Sequence, residues 1–66
     1  METIKPTKLL YAPDVAEMLN RSEAGFRYMV HAGTAPRSAK IAGRRVWRLV
    51  DVEAFIDAAF NAEVSA

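Results

Sequence analysis

Between positions 21 and 48 the chain carries seven cations, Arg21, Arg27, Arg37, Lys40, Arg44, Arg45 and Arg48, against one acid, Glu23. Six of the seven are arginine, whose planar guanidinium suits bidentate contact with phosphate and with the guanine edge. The flanks are acidic: residues 49–66 hold Asp51, Glu53, Asp57 and Glu63 with no basic partner. The formal net charge of +1 therefore hides +6 in the middle segment, −1 before it and −4 after it. The chemistry this suits is polyanion binding. Bond-making chemistry has little support. Ser22, His31 and Asp14 can be assembled into a triad on paper, but no nucleophile motif surrounds them. Asp51 and Glu53 are the nearest thing to an acid–base pair, and they suit the start of a helix better. One histidine and no cysteine do not make a zinc site. The expectation is no enzyme, no metal, no cofactor and no small-molecule effector.

Sixty-six residues, 52% of them apolar and 26% charged, describe one small globular domain. At that size about 60% of the unfolded chain's surface is buried, so the core is thin and no disulfide reinforces it. No signal-peptide pattern and no run of ~20 apolar residues is present, which gives a cytoplasmic expectation. Residues 1–8, broken by Pro6, read as a flexible arm, residues 9–61 as the domain and residues 62–66 as a frayed end.

Within the domain, Ala12-Pro13-Asp14 opens a helix, with Val15, Ala16, Met18 and Leu19 on its apolar face. Asn20-Arg21-Ser22 breaks it. Asn20 tolerates a left-handed backbone, and Ser22 is an N-cap for a second helix over Glu23 to Ala32. Phe26, Met29 and Val30 form its buried stripe, Glu23, Arg27 and His31 lie outside it, and Gly33 stops it. Gly25 weakens this helix by ~1 kcal/mol relative to alanine and marks a close approach to the first helix. Ala39 to Ile41 and Arg45 to Arg48 flank Ala42-Gly43-Arg44 as a hairpin, although Ala-Gly is a weaker turn signal than Asn-Gly. A third helix from Val50 to Asn61, with Asp51 at its start, carries a stripe of Val52, Phe55, Ile56, Ala59 and Phe60. Trp47, Met18 and Met29 read as core. The fold class is mainly α with a small β-hairpin: helix, tight turn, helix, hairpin, helix. Two short helices across a tight turn, followed by a basic hairpin, make a winged helix-turn-helix.

In that frame the second helix presents Ser22, Glu23, Ala24, Arg27, Tyr28 and His31 to DNA. The turn, loop and wing add Arg21, Arg37, Lys40, Arg44, Arg45 and Arg48. Arg27 is the base-reading candidate or else a phosphate contact. Glu23 either accepts from cytosine or serves the helix terminus. Tyr28 packs at the core edge or meets a phosphate. Arg44 and Arg45 either enter a narrow minor groove or guard a charged hairpin edge. The opposite polarity of wing and third helix suggests that copies align head to tail along DNA.

Leu10-Tyr11-Ala12-Pro13-Asp14-Val15-Ala16-Glu17-Met18-Leu19-Asn20-Arg21-Ser22 resembles the opening of small MerR-like winged helix-turn-helix proteins, usually L-T-P-E-E-V-A-E-L-L-G-V-S. Phe26 through Gly33 is similar to their second helix, Ile41 through Arg48 to their wing, and Asp51-Val52-Glu53-Ala54-Phe55-Ile56 to their closing D-L-E-A-W-L. The likeness covers residues 9 to 57. Asn20-Arg21 departs from the usual Gly-Val turn, Gly25 replaces the common Ser or Thr, and Arg27-Tyr28 inverts the frequent Tyr-Arg order. Among stand-alone chains the sequence resembles phage excisionases (recombination directionality factors) of mycobacteriophage type, and AlpA-like prophage regulators. That resemblance implies cooperative DNA binding, DNA bending and, in a bacterial host, partnership with a phage integrase to favour excision. A transcriptional regulator of the AlpA type is the alternative within the class. A small phage adaptor that binds an acidic protein is the alternative outside it. If all seven cations met phosphates, the log–log salt slope of DNA binding would be about −6.

Overall fold

A computed structural model describes residues 8–65, with side chains described to Glu63. The chain order is β1 (Leu9–Leu10), α1 (Ala12–Met18), α2 (Glu23–Ala32), β2 (Ala39–Ile41), β3 (Arg44–Arg48) and α3 (Leu49–Ser65). The described residues thus form three helices and a three-stranded antiparallel sheet in the order β1-β3-β2, compatible with a winged helical fold.

The sheet is larger than the expected hairpin. β1 adds a third strand, with Leu9 opposite Arg48 and Leu10 opposite Trp47. A two-residue strand has no readable alternation. Its pairing is fixed by β3, and the Leu49 N–H extends it by donating to the Lys8 carbonyl at 2.9 Å. Lys8 is therefore tied down, while residues 1–7 of the expected arm lie outside the described residues. The other end departs as well. α3 runs to Ser65, because residues 62–65 contain neither glycine nor proline to stop it; only Ala66 of the frayed segment lies outside the described residues.

The two short helices end and begin as their residue types require. The N–H of Tyr11 donates to Asp14 Oδ2 at 3.0 Å, which fastens the start of α1. At its end Asn20 takes φ 59°, the Asn20 N–H donates to Glu17 O, and the Arg21 N–H reaches back to Ala16 O. This 6→1 and 5→2 pattern is a Schellman motif. Gly33 closes α2 with φ 80° and the same pattern, through Val30 O and Met29 O.

Leu10, Val15, Ala16, Phe26, Trp47 and Val52 form the buried cluster, with Leu19, Met29, Val30, Leu49 and Ile56 packed around it. Each element except β2 contributes a residue to the buried set. The Phe26 and Trp47 rings meet with centroids 5.1 Å apart at 59°. The indole N–H of Trp47 donates to the Pro36 carbonyl at 3.2 Å, so the largest buried ring leaves no orphan donor. Three expected core positions fall outside. Met18 is 38% exposed at the end of α1, and Phe60 is 69% exposed on α3. Of the α3 stripe only Val52 is fully buried; Phe55 and Ile56 are half-buried, and Ala59 is exposed. The sheet and the seven-residue α1 are too short to cover the later turns of a 17-residue helix.

The β2–β3 turn places Ala42 at φ 52° and Gly43 at φ 81°. Positive φ at both central residues is what a two-residue type I′ hairpin turn requires. Glycine meets it freely, whereas alanine strains against its Cβ. Ala42→Asn is expected to stabilise the fold by about 0.5–1 kcal/mol, since asparagine tolerates the left-handed region. Urea unfolding measures this; an unchanged or lowered midpoint contradicts it.

Candidate nucleic-acid interface

α2 presents Glu23, Arg27 and His31 at spacings of four, so they share one face. That face looks across a concavity of about 420 Å³ whose walls are Ala12 and Pro13 of α1 and Arg44 and Arg45 of β3, with Trp47 and Val30 also lining it. Five of the residues singled out in the sequence, from two distant segments, therefore meet on one surface.

Ser22 positions α2. Its Oγ accepts from the Gly25 N–H at 3.0 Å. A Cβ on Gly25 would lie 3.1 Å from this oxygen and 3.6 Å from the Arg21 guanidinium. The close approach marked by Gly25 is thus to the cap and to Arg21, not to the first helix as the sequence suggested. Arg21 sits beside the start of α2, in a shallow surface shared with Pro13, Glu17 and Glu23.

Arg27 does not stand alone. Its Nη2 donates to Glu23 Oε2 at 2.6 Å, and its Nε donates to the same oxygen at 3.2 Å. The two side chains are 65% and 45% exposed, so the pair contributes a few tenths of a kcal/mol to α2. A partner offering better acceptors can displace it at little cost.

Strand alternation divides the hairpin cations. Lys40 lies directly opposite Arg45, on the sheet face that also carries Trp47 and Leu10. Two like charges opposed across strands disfavour the hairpin and are relieved by an anion placed between them. Arg45 is braced by donating from Nη1 to Ser38 Oγ at 2.8 Å. Arg44 belongs to the other face by register, the face to which alternation from Leu9 also assigns Tyr11, and its guanidinium lies over the Tyr11 ring, 3.7 Å from the centroid. Tyr11 immediately precedes the Ala12–Pro13 wall, and Arg44 also lines the concavity.

Arg37 and Arg48 do not join this surface. They border a second depression on the outer sheet face with Leu9, Ala39, Ile41 and Val46. Arg48 is engaged there, its Nε donating to Asp51 Oδ2 at 2.6 Å, and Asp51 is the first-turn acid of α3. The seven cations therefore do not form a single face. Ala24 and Tyr28 are exposed on the adjoining side of α2 and do not line the concavity; Tyr28 is 69% exposed rather than packed at the core edge. Tyr11 and Ser38 were missed in the sequence. The Glu23–Arg27 pair was legible as an i,i+4 spacing, but nothing local announces the Tyr11–Arg44 stack.

Comparison of the chain with protein-family models, curated proteins and solved structures yields no match. No helix among the described residues is long and apolar enough to cross a membrane.

Ser22→Ala is expected to cost about 1 kcal/mol of stability, because the cap to Gly25 is lost. The reading is local: amide exchange at the start of α2 should accelerate more than at Trp47. Equal acceleration at both positions would falsify a terminus-specific role.

Proposed function

We propose that the chain is a DNA-binding protein of winged helix-turn-helix type. α2 enters the major groove, and the β2–β3 hairpin follows the flanking backbone. The observation that carries this reading is the concavity where Arg27 and His31 of α2 face Arg44 and Arg45 of the hairpin. Its walls hold cations on two elements, as a grip on a helical polyanion requires. The like-charge opposition of Lys40 and Arg45 favours an anionic partner over an empty surface.

The finer reading is an excisionase: a small architectural protein that binds attachment-site DNA in several copies, bends it and directs a phage integrase toward excision. It is supported by the resemblance carried by residues 9–57. It is also supported by the polarity between the basic hairpin and α3, whose exposed side holds Glu53, Asp57 and Glu63. A contact between the acidic helix of one copy and the basic hairpin of the next repeats along DNA without closing. In this role the protein makes and breaks no bonds. It contributes phosphate contacts that fix its register, contacts from Arg27 and its neighbours that select sequence, and the deformation of DNA between adjacent copies.

Five cations lie on or beside the concavity: Arg21, Arg27, Lys40, Arg44 and Arg45. The log–log salt slope on a single-site duplex is therefore expected to be about −4.5, shallower than the −6 of seven contacts. Arg45→Ala should reduce the slope by about 1, and Arg37→Ala should leave it unchanged. Salt-independent binding would reject the DNA reading. Equal effects of the two substitutions would reject the assigned face. An in vitro excision reaction with integrase separates the excisionase from a transcriptional regulator: no stimulation at saturating protein excludes the former.

A further inference from the structure

The hairpin tip lies at the end of the sheet, and its turn contains a strained alanine at φ 52°. Such a tip is flexible unless side chains tie it down. Arg45 is tied to Ser38 near the base of β2, which holds the hairpin's own strand and not its position against the helices. The Arg44 guanidinium over the Tyr11 ring, at 3.7 Å, links the tip to the start of α1. Tyr11 is itself firmly placed. Its N–H donates to Asp14, its carbonyl accepts from the Asp14 and Val15 N–H groups, and it directly follows β1. Tyr11 is 44% exposed and Arg44 is exposed as well, so the stacked pair is accessible to a further acceptor.

We propose that Tyr11 is a positioning residue for the DNA grip: its ring holds Arg44 over the start of α1, so that the hairpin tip is set against α2 before DNA arrives. The inference rests on the DNA reading for its functional part. Arginine stacked on an aromatic face keeps its in-plane N–H donors free, so the stack orients the cation toward phosphate without consuming its hydrogen bonds. Ordering one long side chain in the free protein removes part of the entropy lost on binding. The phenol hydroxyl has no part in this, and phenylalanine should serve as well.

The test has two arms, run on the intact chain with Tyr11→Phe, Tyr11→Leu, Arg44→Ala and the double variant Tyr11→Leu/Arg44→Ala. In the first arm, NMR of the free protein reads the tip. Wild type and Tyr11→Phe should show ring-shifted Arg44 side-chain protons and an ordered Gly43 amide. Tyr11→Leu should lose the shift and lower the Gly43 order parameter while the Trp47 indole signal stays in place. A Gly43 amide equally ordered in Tyr11→Leu overturns the proposal whether or not the protein binds DNA. In the second arm, duplex binding is titrated at several salt concentrations. Tyr11→Leu should weaken binding about two- to fivefold and make the salt slope shallower, as Arg44→Ala does. It should cost nothing further in the Arg44→Ala background. Full additivity of the two substitutions, or a loss in Tyr11→Phe as large as in Tyr11→Leu, overturns the positioning role. If wild type binds no duplex while the tip loosens in Tyr11→Leu, the DNA reading fails and the tether itself stands.

Discussion

Trp47 is the residue on which the rest of the molecule depends. It lies on the central strand, 2% exposed, paired through its backbone to Leu10 and packed through its ring against Phe26 of α2. Its indole N–H holds the loop before β2 through the Pro36 carbonyl. One residue thus joins the strand ahead of the helices, the second helix, the loop and the hairpin. In a domain this small the conformational entropy of the chain nearly balances its burial, and a single large aromatic at the meeting point decides whether the balance favours folding. It also fixes the distance between α2 and β3, and so the width of the concavity that Arg27 and Arg45 face.

Charge in this protein is organised by face more than by segment. The seven cations of the segment 21–48 divide in space, those of the hairpin because a strand sends successive side chains to opposite sides. Arg45 and Lys40 go one way, while Arg48 goes the other and is neutralised by Asp51. Arg27 is held by Glu23 along its own helix. What remains is a limited set of cations around one concavity, some braced and some loosely paired.

Much of the architecture was legible where a residue type has one local solution. Asn20 and Gly33 stop helices with left-handed backbones, Ser22 caps α2, and Phe26 and Trp47 go inside. Gly43 follows Ala42 into a turn that this pair signals only weakly. The failures share a different cause: each depends on where a partner element ends. The period of α3 correctly places Val52 and Phe60 on one stripe, but periodicity does not encode how far the sheet extends, and Phe60 is left exposed. β1 is too short to carry a pattern of its own. The site was legible as a set of residues and not as a surface. The sequence pattern brought α2 and the hairpin together, grouped with them Arg37 and Arg48, which border a separate depression, and gave no sign that Arg44 would lie on Tyr11.

The position of β1 bears on how the molecule assembles. The β2–β3 hairpin and each helix close over short stretches of chain, and such contacts form within microseconds. Leu10, by contrast, meets Trp47 only after both helices and the hairpin lie between them in sequence. That closure bears the largest loop entropy in the fold and brings no reward until the rest is in place. The last strand to join is therefore β1, the first among the described residues. Until it does, the β1-facing edge of β3 is open, and the strand that completes the sheet could equally be supplied by a neighbouring molecule.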